Sequence, residues 1–181
     1  MFLTTPLSRR NIKRLRIGDI VYLSGIIFTA RDKAHERAMR DGDFPVSLRG
    51  GVIFHSGPIV KKEKNGFRVV AIGPTTSSRM NFLESEFLKK FQVRGIIGKG
   101  GMSPGVLKGK AVYLSMTGGC AAITADSVKR VRSVHWLDLG IPEAVFELEV
   151  KNLGPLVVAI DFNGNSLYEE VDKRVNFYLK K

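Results

Sequence analysis

Three cations stand directly behind apolar runs in this sequence, Arg31, Arg79 and Lys99. Val69 to Ile72 reads as a buried strand, because a β-branched run stopped by Gly73-Pro74 is too short for a helix. Thr75 to Ser78 then present four hydroxyls, and Met80, Leu83, Phe87, Leu88 and Phe91 recur at helical spacing. The pattern predicts a helix starting near Arg79 with a hydroxyl at its N-cap. A cation in a first helical turn opposes the helix dipole and calls for an anion; exposed amides and a guanidinium fork suit a carboxylate or phosphate. The same residues also fit an ordinary cap beside a solvated arginine. Val93 to Ile97 reads as another strand, with Lys99 just after it inside Gly98-Lys-Gly-Gly101. Open α/β sheets bind ligands beyond the carboxyl ends of their strands. Three cations, hydroxyls and glycine-lined backbone on one rim describe a pocket for a small dianion, most simply a dicarboxylate.

The elements that must position these groups follow from the rest of the chain. Ser8 is suited to cap a short helix through Leu15, and Gly18-Asp19 leads into a strand over Ile20 to Phe28. That strand ends at Thr29-Ala30-Arg31-Asp32, and Lys33 to Arg40 is rich in helix formers, so Arg31 falls at a strand-to-helix junction. His35 lies four residues on, on the same helical face, where it would orient Arg31 or touch a ligand, though a histidine so placed is more often structural. Gly51 to Phe54 is a further strand ending in His55-Ser56, two weaker candidates near the same rim. Asn65-Gly66 predicts a hairpin turn between Ile59–Lys61 and Phe67–Ala71. Ala111 to Leu114 is strand-like, Val145 to Val150 alternates, Leu156 to Ile160 is a separate apolar run, and an amphipathic segment spans Tyr168 to Leu179. Hairpins mixed with crossover units point to a single α/β domain over residues 1–181, with a mixed sheet or a β/β/α layering.

Composition narrows the function classes. Hydrophobic residues at 44% and charged residues at 25% are those of a globular protein, and no apolar run approaches a membrane span. The N-terminus shows no secretory pattern, and one cysteine gives no disulfide framework, so a cytoplasmic protein without a membrane anchor is expected. A single thiol, Cys120, does not hold an iron-sulfur cluster, and His35, His55 and His135 show no zinc spacing. Cys120 reads most simply as a small packed residue, and Trp136 as core or subunit interface. The formal net charge of +12 is spread in small groups such as Arg9-Arg10 and Lys89-Lys90. It fits nucleic acid, an acidic partner subunit or an anionic substrate.

Ile96-Ile-Gly-Lys-Gly-Gly101 has the outline of a KH nucleic-acid loop, but that loop joins two helices, whereas here a strand precedes and Ser103-Pro104-Gly105 follows. Five ordered blocks carry a different resemblance: Leu23-Ser-Gly-x-x-x-Thr-Ala-Arg-Asp-x-x-His35, Gly73-Pro-Thr-Thr-x-x-Arg-Met80, Gly98-Lys-Gly-Gly-Met102, Gly118-Gly-Cys-Ala-Ala122 and His135-Trp-x-x-Leu-Gly140. Together they resemble the β subunit of the class I, iron-sulfur-dependent fumarases and L(+)-tartrate dehydratases, and span nearly the whole chain.

That resemblance implies a swivelling β/β/α fold and a hydro-lyase built from two kinds of chain, with two copies of each. A fumarase α subunit would carry the 4Fe-4S cluster, and this β subunit would be inactive alone. The implied reaction is reversible hydration of fumarate to (S)-malate, a step of the tricarboxylic acid cycle, with L(+)-tartrate dehydration as the alternative and a KH-like nucleic-acid module as a remote one. By motif, Arg31 and Arg79 would bind substrate carboxylates, with Lys99 in the same polar shell and His35 nearby. Thr75 would be the base or would only orient substrate; a hydroxyl in the first role needs a neighbouring cation or a helix N-terminus to stabilise its alkoxide.

Overall fold

The computed structural model describes residues 1–64 and 66–179. Along the chain run β1 (Phe2–Thr4), α1 (Arg9–Arg14), β2 (Ile20–Thr29), α2 (Asp32–Asp41), β3 (Val52–Phe54), β4 (Ile59–Glu63), β5 (Gly66–Ala71), α3 (Asn81–Phe91) and β6 (Gly95–Gly98). They continue with α4 (Pro104–Leu107), β7 (Val112–Ser115), α5 (Ala121–Asp126), β8 (Val128–His135), β9 (Val145–Ile160) and α6 (Leu167–Leu179). Strands β1, β2, β3, β6 and β7 lie side by side and parallel. The long β9 runs antiparallel to β7, β8 and β2, so the pairings β2-β3-β6-β7-β9 return to β2 and close a ring. The result is the expected α/β domain with a mixed sheet.

Strand side chains alternate between two faces, and the core divides accordingly. Phe54, Ile97 and Leu114 join a cluster drawn from all five ring strands, together with Leu23, Phe146 and Leu148. Their chain neighbours Ile53, Ile96 and Tyr113 belong to a second cluster with Ala34 and Ala38 of α2 and Phe87 and Leu88 of α3. Packing of α2 and α3 against this second face brings the starts of both helices to the carboxyl ends of the parallel strands. Ser8 caps α1 as expected, its hydroxyl accepting from the Asn11 amide at 3.0 Å.

Three expectations change. The run around Val69 belongs to β5, which pairs with β4 in a separate two-stranded ribbon, leaving Val70 exposed rather than buried in the main sheet. Asn65 of the predicted turn lies outside the described residues. Val145–Val150 and Leu156–Ile160 are one continuous strand, because β2 pairs with both halves and absorbs the polar break as register shifts near Leu23. Finally, α3 starts at Asn81 after a single tight turn, Ser77–Met80, and no hydroxyl caps either segment.

Candidate active site

The hydroxyls expected at the helix start are used elsewhere. Thr75 donates both its amide and its Oγ1 to the His55 carbonyl, at 2.7 and 2.9 Å. The Lys99 amide donates to Thr75 O at 3.1 Å, and Ser77 N donates to Lys99 O at 3.0 Å. The Thr75–Ser77 segment is thus laced between the ends of β3 and β6. Ser56 Oγ, donating to Gly73 O at 2.7 Å, pins the approach from the β ribbon. Lys99 is exposed, and its side chain lies over the turn after β7: a methyl group at Gly118 would stand 3.7 Å from both its Cδ and its Nζ.

Arg31 occupies the N-cap of α2, where a short polar side chain is the usual choice, and makes no cap bond there. The capping is done from far along the chain: Glu143 Oε2 accepts from the Lys33 amide at 3.1 Å, while its Oε1 stands 3.3 Å from Arg31 Nε. The Arg31 guanidinium reaches over Gly57, where an added Cβ would come within 3.0 Å of one terminal nitrogen. Arg79 has the compensating anion that its position demands, Asp32 at 2.8 Å, yet its side chain stays 48% exposed. Both guanidinium groups are therefore aimed by a carboxylate and still retain donors for a second one.

Arg31, Thr75, Arg79 and Lys99 come to one rim beyond β2, β3 and β6. His35 does not. It is fully buried under α2, its Nδ1 donating to Arg31 O at 2.9 Å and its Nε2 3.3 Å from Glu84 Oε2. The expected helical-face neighbour of Arg31 thus holds the Arg31 backbone from beneath. His55 is equally buried, with Nδ1 2.8 Å from Ser77 Oγ and Nε2 3.4 Å from the same Glu84 oxygen. Burial pushes the Glu84 carboxyl up, but the two adjoining imidazoles outweigh it and hold it down at about 2. Burial also opposes charge on His35, yet Glu84 beside it leaves that ring raised, whereas burial wins at His55 and lowers it.

Glu84, Glu143, Asp32 and Ser77 escaped the sequence reading as site groups. Glu143 lies 110 residues from the amide it caps, and only folding reveals the pair. Glu84 carried a weak signal, a carboxylate inside the apolar stripe that ends in Phe87 and Leu88.

Cys120 is partly exposed, and its thiol points back to the Thr117 carbonyl at 2.9 Å. It is the one cysteine of the sequence. The Gly98–Gly101 loop leads from β6 towards α4 rather than joining two helices, which removes the KH geometry. No helix among the described residues is long and apolar enough to cross a membrane.

The family model described as "Fumarase C-terminus" matches residues 1–171. A Methanocaldococcus jannaschii protein provisionally named L(+)-tartrate dehydratase subunit beta is 52% identical over 178 residues, covering 93% of this chain and 91% of its own. The L(+)-tartrate dehydratase subunit beta of Escherichia coli K12 is 42% identical over 176 residues, or 94% and 88% of the two chains. A Geobacillus stearothermophilus protein provisionally named fumarate hydratase class I is also 42% identical, this chain matching 34% of its length. The chain belongs to the Fumarase C-terminus family and is similar to L(+)-tartrate dehydratase beta subunits and to part of a protein provisionally named fumarate hydratase class I.

Proposed function

We propose that this chain is the β subunit of a hydro-lyase acting on four-carbon dicarboxylates, with hydration of fumarate to (S)-malate as its reaction. The observation that carries the reading is the pair of arginines on one rim, Arg31 and Arg79, each aimed by its own carboxylate and flanking Thr75 and Lys99. Two guanidinium forks match the two carboxylates of such a substrate. Thr75 Oγ1 is fixed by the His55 carbonyl, in a residue whose own carbonyl accepts from the Lys99 amide, and there it would orient the substrate or exchange a proton with it. Lys99 supplies the positive charge that would favour a developing alkoxide. The 4Fe-4S cluster belongs to a partner α subunit in this reading, and each role assigned here is one of this chain's own residues.

L(+)-tartrate dehydration is the second reading, favoured by the names of the relatives at 52% and 42% identity. Both substrates carry two carboxylates, so the arginine pair serves either. The test is reconstitution with a cluster-bearing α subunit, assayed with fumarate, (S)-malate and L(+)-tartrate. Turnover of fumarate by the complex and none by the isolated chain is expected. Preferential turnover of tartrate selects the second reading, and hydration of fumarate by this chain alone overturns the two-subunit assignment.

A further inference from the structure

Glu84 is the point at which the elements of the site meet. Its Oε2 stands 3.3 Å from His35 Nε2 and 3.4 Å from His55 Nε2, and all three side chains are fully inaccessible. His35 holds the carbonyl of Arg31, His55 accepts both Thr75 donors on its carbonyl, and Glu84 itself sits on the helix that follows the Arg79 turn. We propose that Glu84 is a positioning residue, its carboxylate joining His35 of α2 to His55 after β3 and so holding Arg31, Thr75 and Arg79 in one geometry. The proposal rests on the reading of those three residues as the substrate side of the site.

Proton placement follows from the partners. The Arg31 carbonyl only accepts, so His35 Nδ1 carries hydrogen; its Nε2 faces a carboxylate and carries another. His35 is therefore an imidazolium. Tyr113 donates to Ser77 Oγ at 3.1 Å, leaving the serine proton for His55 Nδ1 and a hydrogen on Nε2 for Glu84. The cluster is cation, anion and neutral ring. The other groups facing it are Asp32 on α2, whose charge also favours the cation, and the Phe87 ring, 4.3 Å from His35.

Stability alone does not account for such a cluster, because apolar side chains of similar volume usually serve a core as well or better. Among the described residues neither Glu84 oxygen and neither facing Nε2 makes a well-aligned hydrogen bond, so the close approach of the two imidazoles, at 3.3 and 3.4 Å, is the compensation the buried carboxylate has. What the arrangement does supply is direction: one oxygen fixes the separation of α2, the end of β3 and α3. The competing occupant of the same three atoms, which lie within 4.8 Å of one another, is a divalent cation.

The experiment compares the unmodified full chain with Glu84→Gln and Glu84→Asp, alone and reconstituted with the α subunit. Glutamine keeps the length and removes the charge; aspartate keeps the charge and withdraws it by one methylene. Nitrogen-15 NMR of the chain near neutral pH is expected to show His35 protonated on both ring nitrogens, and on one in Glu84→Gln. In the complex, Glu84→Asp is expected to lower kcat/KM about a hundredfold, the scale of an ångström-sized misplacement. Its effect should be strongly non-additive with that of Arg31→Lys, a coupling that a remote stability defect would not show. A singly protonated His35 in the unmodified chain, additive losses, or one divalent metal ion per purified chain would each overturn the proposal. If the unmodified complex acts on neither dicarboxylate, the functional reading fails separately. Hydrogen exchange of the His35 and Thr75 amides then decides positioning: about tenfold faster exchange in Glu84→Asp supports it, and unchanged exchange refutes it.

Discussion

At the scale of single residues, the site departs from ordinary helix chemistry where its charged groups stand. Arg31 takes an N-cap position without capping, and Arg79 sits in the tight turn just ahead of α3, at the helix end that disfavours a cation. Each is compensated by an acid, Glu143 or Asp32, rather than replaced. Arg79→Lys keeps the charge and loses the planar fork. Loss of a charge-assisted pair to substrate in a desolvated site costs on the order of 2 to 5 kcal/mol, or roughly tens to thousands of times in kcat/KM. The melting temperature should hardly move, because this half-exposed pair contributes little to the fold. Turnover and thermal unfolding of the reconstituted complex check both halves; near-normal turnover would remove Arg79 from the carboxylate clamp. For Thr75, replacement by Ser should preserve turnover and replacement by Val should abolish most of it. Comparable rates in the two variants would reduce Thr75 to a structural member of the loop.

At the scale of elements, the loops after β3 and β6 act as one piece because backbone hydrogen bonds cross between them. Gly98 is what permits this. A Cβ there would lie 1.9 Å from Ser77 Oγ and 3.0 Å from the Tyr113 hydroxyl, so any larger residue evicts the Ser77 side chain from the buried chain that reaches His55. Gly98→Ala should destabilise the protein by about 1 to 3 kcal/mol through overpacking and lower activity together with stability. Thermal unfolding of the isolated chain reads the first effect. An unchanged melting temperature would mean that the Ser77 segment yields without cost.

At the scale of the molecule, the buried cluster makes stability depend on pH. The unfolded value of Glu84 lies near 4.5 and its folded value at about 2, so the stability it contributes is present above 4.5 and is lost as pH falls towards 2. His55, lowered from 6.5, adds a loss on the acid side, because the unfolded chain binds that proton first. His35, raised from 6.5, contributes fully below that value, and its share is lost as pH rises through the folded value. The acid-side loss attributable to Glu84 is on the order of a few kcal/mol. Unfolding midpoints of the chain across pH 3 to 8 should therefore fall steeply below about pH 4.5, and more gently in Glu84→Gln; identical profiles would contradict the wiring of the cluster. The net charge of +12 also belongs at this scale. If the α subunit offers an acidic face, the association rate should fall as salt rises, with smaller changes in the dissociation rate. A salt-independent association rate would separate the basic surface from assembly.

Much of the architecture was legible in the sequence because its signals are local. Ser8 at a helix start, apolar runs ending before Arg31 and at glycine before Lys99, and the helical spacing from Met80 to Phe91 are each set by neighbours a few residues apart. The same locality placed Arg31, Thr75, Arg79 and Lys99 beyond strand ends, and the ordered blocks around them carried the family resemblance. Tertiary structure decided what depends on distant partners. Whether Val69 lies in the main sheet or a side ribbon, and whether β9 is one strand or two, was settled by which strand pairs alongside. His35 was turned from the rim to the interior by Glu84, 49 positions away, and Arg31 was aimed by Glu143 from the connection between β8 and β9. The free energy of burying a charge depends on what else is buried beside it, and that company is assembled only when the chain folds.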